Sequence, residues 1–277
     1  MKRVGILYHP MNEAACALAQ ELKEFLDAKS VSAWLCSAWE GEEAKALVSG
    51  TDLVLSVGGD GTILRTAQAI VPGPTPVTGV NLGKLGFMTE LSAEETLDKL
   101  PALLNGEGWI DERALLEIEF SPIDTELKTT YYALNDVVVA RGAIARVIYV
   151  EASIDGELLT TYKGDGAIVA TATGSTGYSL AAGGPILHPQ AREFLLLPIL
   201  PHLGSANAMV LPSSAVVGLR ISTAHQATLS IDGHINQPLS NGAAITVKHS
   251  SITARFLRIR SGTSFYSSLE QRLKGKQ

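Results

Sequence analysis

Apolar positions along the first hundred residues follow two rhythms. Short β-branched runs at 4–8, 53–57 and 77–81 have the length and composition of buried strands, while residues 12–28 carry apolar side chains at helical spacing. A second helix is expected over 62–70, opened by glycine, and Ser92 followed three positions on by Glu95 forms a capping box at the head of another. Strands alternating with amphipathic helices predict a layered α/β unit with parallel strands. From about residue 110 the rhythm changes, and 115–120, 131–140, 146–154, 167–171, 216–222, 227–231 and 243–247 all read as strands. Asp155-Gly156 and Asp232-Gly233 are turn dipeptides that predict hairpins. The fold class expected is therefore an α/β amino-terminal domain followed by a β-rich, sandwich-like domain, with the boundary in 105–111. Residues 252–277 hold another strand-like run and then a polar segment ending in Lys274 and Lys276, which periodicity does not place. No internal repeat or low-complexity tract is visible.

With 277 residues and 46% hydrophobic content, the chain is long enough for two cores. A formal charge of −6 argues against a surface built to neutralise a nucleic-acid backbone or an anionic membrane. Cys16 and Cys36 stand in no metal-ligand spacing, and Met1-Lys2-Arg3 runs straight into a strand, which reads as a folded domain and not a signal peptide. The most apolar region, 194–219, is interrupted by Pro198, Pro201, His202, Asn207 and Pro212, short of the ~18 uninterrupted apolar residues a bilayer span needs. The expectation is a cytoplasmic protein.

Gly58-Gly59-Asp60-Gly61-Thr62 follows the strand at 53–57 and opens the next helix, so backbone amides and a helix amino end converge on one point. Such a point binds anions. Glycine permits close backbone approach, and Thr62 is expected to cap the helix and leave amides free for phosphate. A carboxylate among those amides would repel a phosphate, so its presence suggests that Asp60 does chemistry. The bland alternative is a tight turn in which Asp60 caps the helix. The segment lacks the three spaced glycines of the dinucleotide fingerprint and the lysine of a P-loop, which weakens a hydride-transfer reading.

Residues 171–179 carry six hydroxyl side chains in nine positions, preceded by Tyr162-Lys163-Gly164-Asp165-Gly166 and followed by Gly183-Gly184-Pro185. Dense donors and acceptors of this kind suit ribose and amide groups, and apolar flanks at 168–170 and 180–182 hold the loop against a core. A solvated Ser/Thr/Gly loop is the competing reading. In Leu134-Asn135-Asp136, two polar residues interrupt a strand-like run; they suit a purine edge and sugar hydroxyls, or an ordinary strand-end turn.

Together these segments resemble the NAD kinase family over most of the chain. The matching stretches are Gly58 to Thr62, Asn81-Leu82-Gly83-Lys84-Leu85-Gly86-Phe87, Leu134-Asn135-Asp136, Lys163-Gly164-Asp165-Gly166, the 171–179 run with Gly183-Gly184-Pro185, and 198–202. The glycine-flanked Asp is shared with diacylglycerol kinases and phosphofructokinases, whereas the Thr-Gly-Ser-Thr-x-Tyr-Ser run is specific. The resemblance implies Mg²⁺-dependent transfer of the terminal phosphate of ATP to the 2′-hydroxyl of the adenosine ribose of NAD. It implies domains at 1–108 and 109–251, a cleft between them, a tail at 252–277 returning to the first, and a homodimer or homotetramer.

Carried onto this sequence, the resemblance makes Asp60 the group that orients or deprotonates the hydroxyl, Gly61 a substrate-binding residue, and Gly58, Gly59 and Thr62 the phosphate loop. Asn135 and Thr173 would hold the adenine, Asp136 a ribose hydroxyl, and Asp165 with the Gly177 backbone the nicotinamide amide. Phe87 would pack on a base, with Thr176, Tyr178 and Ser179 around sugar and phosphate. Arg65, Arg146 and Lys163 match phosphate-contacting positions, as does His234 more weakly. Metal ligands stay unassigned. Four departures stand out: Asp136 replaces a usual Glu, Gly177 a usual Ala, Lys163 a frequent Arg, and Ser205-Ala206-Asn207-Ala208 lacks a basic residue. Two rival readings are a lipid kinase, motivated by the shared Gly-Asp-Gly, and a non-catalytic NADP(H) sensor, motivated by the departures.

Overall fold

A computed structural model describes residues 1–83, 86–120, 129–142, 146–202 and 207–260, with 265, 266, 269, 270 and 273. Lys84, Leu85, Ser205, Ala206, Lys274 and Lys276 of the sequence reading lie outside the described residues. The chain divides into two compact units, Met1–Glu112 with Ala254–Gln277, and Arg113–Thr253.

In the first unit, strands and helices alternate as β1 (Arg3–Tyr8), α1 (Glu13–Ala28), β2 (Ser32–Ser37), α2 (Gly41–Val48), β3 (Leu53–Val57), α3 (Asp60–Ile70), β4 (Val77–Asn81), β5 (Leu91–Ser92) and α4 (Ala93–Leu104). The strands are parallel in the order β2-β1-β3-β4, with β5 alongside β4. Helix α1 shows why the periodicity was legible. Ala15, Leu18, Ala19, Leu22 and Leu26 are buried along one stripe and share a core with Ile6, Leu53 and Leu55. Asn12 caps it by accepting from the Ala15 amide. The box at α4 is complete, the Ser92 hydroxyl accepting from the Glu95 amide and the Ser92 amide donating to the Glu95 carboxylate at 2.8 Å. Because β2 and β3 flank β1, the order reverses there, and ligands of such sheets gather outside the carboxyl ends of the strands at that switch. Gly58 to Asp60 leave the carboxyl end of β3, and His9, just past β1, donates its amide to the Val57 carbonyl.

The second unit is antiparallel. It comprises β6 (Trp109–Phe120), which starts in the first unit, β7 (Thr129–Ala133), β8 (Asp136–Arg141), β9 (Ile148–Ile154), β10 (Glu157–Gly164), β11 (Gly166–Ala170), the short α5 (Tyr178–Ala181), β12 (Phe194–Ile199), β13 (Met209–Leu211), β14 (Val216–Ser222), β15 (Ala227–Ile231), β16 (Ile235–Leu239) and β17 (Ala244–Arg258). Six strands form one sheet, β13-β12-β11-β8-β15-β16; β10-β9-β14-β17 run side by side in the other. Val137, Val139 and Val169 of the first meet Val150, Val217, Leu219 and Val247 of the second in one core. The other face of β8, β11 and β12 buries Val138, Ile168, Leu195 and Leu197, so these central strands read as unbroken apolar runs. Asp155 and Gly156 both have positive φ, 53° and 85°, in the two-residue turn joining β9 to β10.

Three expectations change. The run at 131–140 is not one strand: β7 ends at Ala133 and β8 starts at Asp136, because the Asp232 carboxylate takes the amides of Leu134, Asn135 and Asp136. The run at 243–247 is the start of a fifteen-residue strand, β17, whose last residues belong to the first unit. There Phe256 pairs in parallel with Val77 of β4, and Thr78 donates to the Leu257 carbonyl at 2.9 Å. Finally, α3 begins at Asp60 with Gly59 as its N-cap, so Thr62 does not cap it.

Candidate functional site

In the first unit the site is built at the mouth of α3. Gly58 has φ of +154°, and a side chain there would collide with the Thr62 hydroxyl. Among the described residues nothing lies within 4 Å of where a Cβ would stand on Gly59 or Gly61. The first amides of any α-helix lack i−4 acceptors; in α3 the Thr62 amide turns back to the Gly59 carbonyl at 3.0 Å, and the amides of Asp60 and Gly61 stand at the helix mouth. The Thr62 hydroxyl is buried with no hydrogen-bond partner among the described residues.

Asp60, first residue of α3, turns its carboxylate away from its own helix and accepts from the amides of Phe87 and Met88, at 2.9 and 3.0 Å. The helix-capping alternative therefore does not describe it. Gly86 packs against that carboxylate so closely that a Cβ would overlap its oxygens, and the Gly86 amide donates to Thr89 Oγ1 at 3.1 Å. Further along α3, Arg65 lies 4.4 Å over the Trp39 ring, which lies 4.4 Å from the His9 ring. Burial lowers the Arg65 pKa from the ordinary arginine value.

In the second unit a different group converges on the start of β8. Asp232, in the turn after β15, accepts from Leu134, Asn135 and Asp136 amides at 2.9, 2.7 and 3.2 Å and donates its own amide to the Asp136 carbonyl. Thr171 closes the other side, its amide donating to Asn135 O and its hydroxyl to Leu134 O at 2.6 Å. Gly174 presses on the Asn135 backbone, leaving no space for a Cβ. A Cβ on Gly177 would stand 3.4 Å from Asn135 Nδ2 and 3.6 Å from Asp136 Oδ2, so the hydroxyl-rich loop and the Asn-Asp pair form one cluster. Thr176 donates to the Thr173 carbonyl, and the Thr173 hydroxyl lies 3.4 Å from Arg113 Nη1. His234 Nδ1 is 3.0 Å from the Asp232 carbonyl. Asn135 Oδ1 and Ser179 Oγ are buried without partners among the described residues. Burial pushes the Asp136 carboxyl up to about 7, and the nearby Asp232 charge adds to the effect.

Asp165, Lys163 and Arg146 stand outside the hydroxyl-rich loop, and Tyr178 within it. Asp165 is paired with Arg141, Nε to Oδ1 at 2.7 Å, while Arg141 N donates to Asp165 O. Lys163 Nζ sits 5.7 Å from the Tyr149 ring centroid, and Tyr178 is exposed at the start of α5. Arg146 lines a separate pocket of about 620 Å³ with Tyr149, Thr223, His225 and Asn241.

Residues 29–108 match the ATP-NAD kinase N-terminal domain and residues 134–259 the ATP-NAD kinase C-terminal domain. The chain belongs to the NAD kinase family. A NAD kinase of Dehalococcoides mccartyi is 51% identical over 274 residues, covering 99% of this chain and 96% of the relative. That of Chloroflexus aggregans is 40% identical, covering 99% of each. Among solved structures, yeast NADH kinase complexed with NADH superposes with a TM-score of 0.84 at 25% identity over 99% of this chain and 88% of that one. A NAD kinase from Archaeoglobus fulgidus in complex with ATP gives 0.78 at 25% identity over 99% of each.

Within this NAD kinase family member, sequence reasoning missed the residues that hold the motif residues in place. Asp232 was visible only as half of a turn dipeptide, and Arg141 had no signal at all. Gly86 stood in a matching stretch, yet its packing on Asp60 is legible only from the fold.

Proposed function

We infer that this chain is an ATP-dependent NAD kinase, transferring the terminal phosphate of ATP to the 2′-hydroxyl of the adenosine ribose of NAD and releasing ADP and NADP. The observation that carries the reading is the Asp60 carboxylate, anchored by two backbone amides at the first turn of α3. An alcohol is a weak nucleophile at neutral pH, so a fixed carboxylate that accepts the hydroxyl proton as the oxygen meets the γ-phosphorus lowers the barrier. The P–O bond to ADP breaks as the new one forms, and most of the rate comes from in-line positioning and charge stabilisation. The amino end of α3, with Gly58, Gly59 and Thr62, is proposed to receive phosphate oxygens, and Gly61 to bind substrate.

In the second unit, the unpartnered Asn135 Oδ1 supports a role in reading the adenine amino edge, with Thr173 beside it. Asp136 is proposed to meet a ribose hydroxyl; a carboxyl titrating near neutrality serves there as donor or acceptor. Phe87, Thr176, Gly177, Tyr178 and Ser179 are proposed to contact base, sugar and phosphate, Asp165 the nicotinamide amide, and Arg65, Arg146, Lys163 and His234 phosphates. Among the described residues no three His, Cys, Asp or Glu side chains converge as a metal site. The proposed Mg²⁺ would then be held mainly by donor phosphates and water, with Asp60 the carboxylate at hand, and would supply charge neutralisation on the phosphates. Among the described residues no helix is long and apolar enough to cross a membrane. A cytoplasmic homodimer or homotetramer is proposed.

Purified protein with ATP, Mg²⁺ and NAD should yield NADP, and crossing NAD with NADH and ATP with polyphosphate fixes donor and acceptor. Asp60→Asn should lower kcat by ~10²–10⁴ with little change in KM for NAD. Absence of NADP with every donor would sink the reading.

A further inference from the structure

The segment 86–90 that holds Asp60 is itself gripped from its other side by residues brought in by the end of β17. Arg258 is buried, and its Nη1 donates to the Met88 carbonyl at 2.8 Å, with the Thr89 carbonyl at 3.4 Å. Its Nε lies 3.2 Å from Asp111 Oδ2 and its Nη1 3.4 Å from Glu90 Oε2. Both carboxylates are buried too. The other oxygen of Glu90 accepts from the amides of Ile259 and Arg260 at 2.9 and 2.7 Å, and the guanidinium carbon stands 4.9 Å over the Phe256 ring. A charged fork with this many fixed partners has little freedom to move.

Met88 thus joins two systems through one residue. Its carbonyl accepts from Arg258, and its amide donates to Asp60 Oδ1. Burying one arginine with two carboxylates is costly, and for stability alone a well-packed apolar group serves as well or better. What the arrangement supplies that an apolar group cannot is a directed bond to the Met88 carbonyl.

We propose that Arg258, held by Asp111 and Glu90, is a positioning residue for phosphoryl transfer: through Met88 it sets the two amides that aim the Asp60 carboxylate. This rests on the reading of Asp60 as the group that handles the acceptor hydroxyl. Arg258 touches no reacting atom. Its loss costs turnover through Asp60, leaving substrate affinity in place.

The test is a double-mutant cycle. Arg258→Lys keeps the positive charge between Asp111 and Glu90 but loses the planar fork, and should lower kcat by ~10-fold with KM for NAD and ATP within about twofold. In an Asp60→Asn background the same change should cost less than about twofold, because residues acting as one unit are not additive. Should Arg258→Lys fail to fold, Asp111→Asn, which preserves size, carries the same test with a smaller kcat loss of ~3-fold that disappears without Asp60. Equal losses in both backgrounds, or a rise in KM without a fall in kcat, would overturn the proposal. A wild-type protein inert toward NAD, or an Asp60→Asn variant as active as wild type, counts instead against the proposed reaction. Active wild type, impaired Asp60→Asn and unimpaired Arg258→Lys counts against the positioning role alone.

Discussion

Replacing one hydrogen by a methyl group at Gly86 would bring it into overlap with the carboxyl oxygens of Asp60. Neither partner can yield cheaply, since the carboxylate is tied to the Phe87 and Met88 amides and the Gly86 amide to Thr89. Gly86→Ala should therefore lower kcat by ~10-fold or more, a misplacement of about an ångström costing that much in a positioned site. Gly83→Ala is the matched control, because among the described residues nothing lies within 4 Å of its would-be Cβ. If both variants turn over NAD at the wild-type rate, the close packing at Gly86 has no bearing on the chemistry. At this scale the sequence was only half legible. The Gly-Gly-Asp-Gly run announces a phosphate site through its own spacing, whereas Gly86 acts on a residue 26 positions before it and Asp232 on backbone amides almost a hundred residues upstream.

Elements whose signals are local came through best. Strands 53–57, 77–81, 216–222 and 227–231 coincide with β3, β4, β14 and β15, because each is an apolar or alternating run closed by a turn. Helix α2 and strand β2 were not read: α2 spans only eight residues, and the polar termini of Ser32–Ser37 dilute the pattern. The break between β7 and β8 was missed for a different reason, since a distant carboxylate satisfies the amides that a continuous strand would have paired. The cap of α4 illustrates a local device with a local cost. Ser92→Ala removes the hydroxyl that accepts from Glu95 and should destabilise the fold by ~1 kcal/mol in urea unfolding. Activity of the folded fraction should be unchanged; an unchanged unfolding midpoint would show the box to be idle.

For the molecule as a whole, one buried carboxyl couples folding to pH. Asp136 has its pKa raised to about 7 by burial and by Asp232, while an unfolded chain would release that proton near 4. Between those values the native state binds the extra proton, so this group's contribution to stability falls as pH rises from ~4 and levels off above about 7. Asp136→Asn removes the effect. The stability difference between variant and wild type should grow in the variant's favour across that window, by at most ~4 kcal/mol at 1.36 kcal/mol per unit. A difference independent of pH would mean that the carboxyl titrates normally. The α/β and β-rich character of the two units was readable from periodicity, and family membership from short motifs. The return of residues 254–258 to the first unit was not, since Phe256 on Val77 is a pairing across some 180 positions.

That return sets an order of events during synthesis. The Gly-Gly-Asp-Gly loop leaves the ribosome before any of the second unit, yet the first unit lacks Arg258 until residues 113–253 have all been translated. A nascent or prematurely terminated polypeptide ending before β17 would display the signature loop without its clamp, so on the positioning role inferred above, full catalytic competence waits for synthesis of the entire second unit.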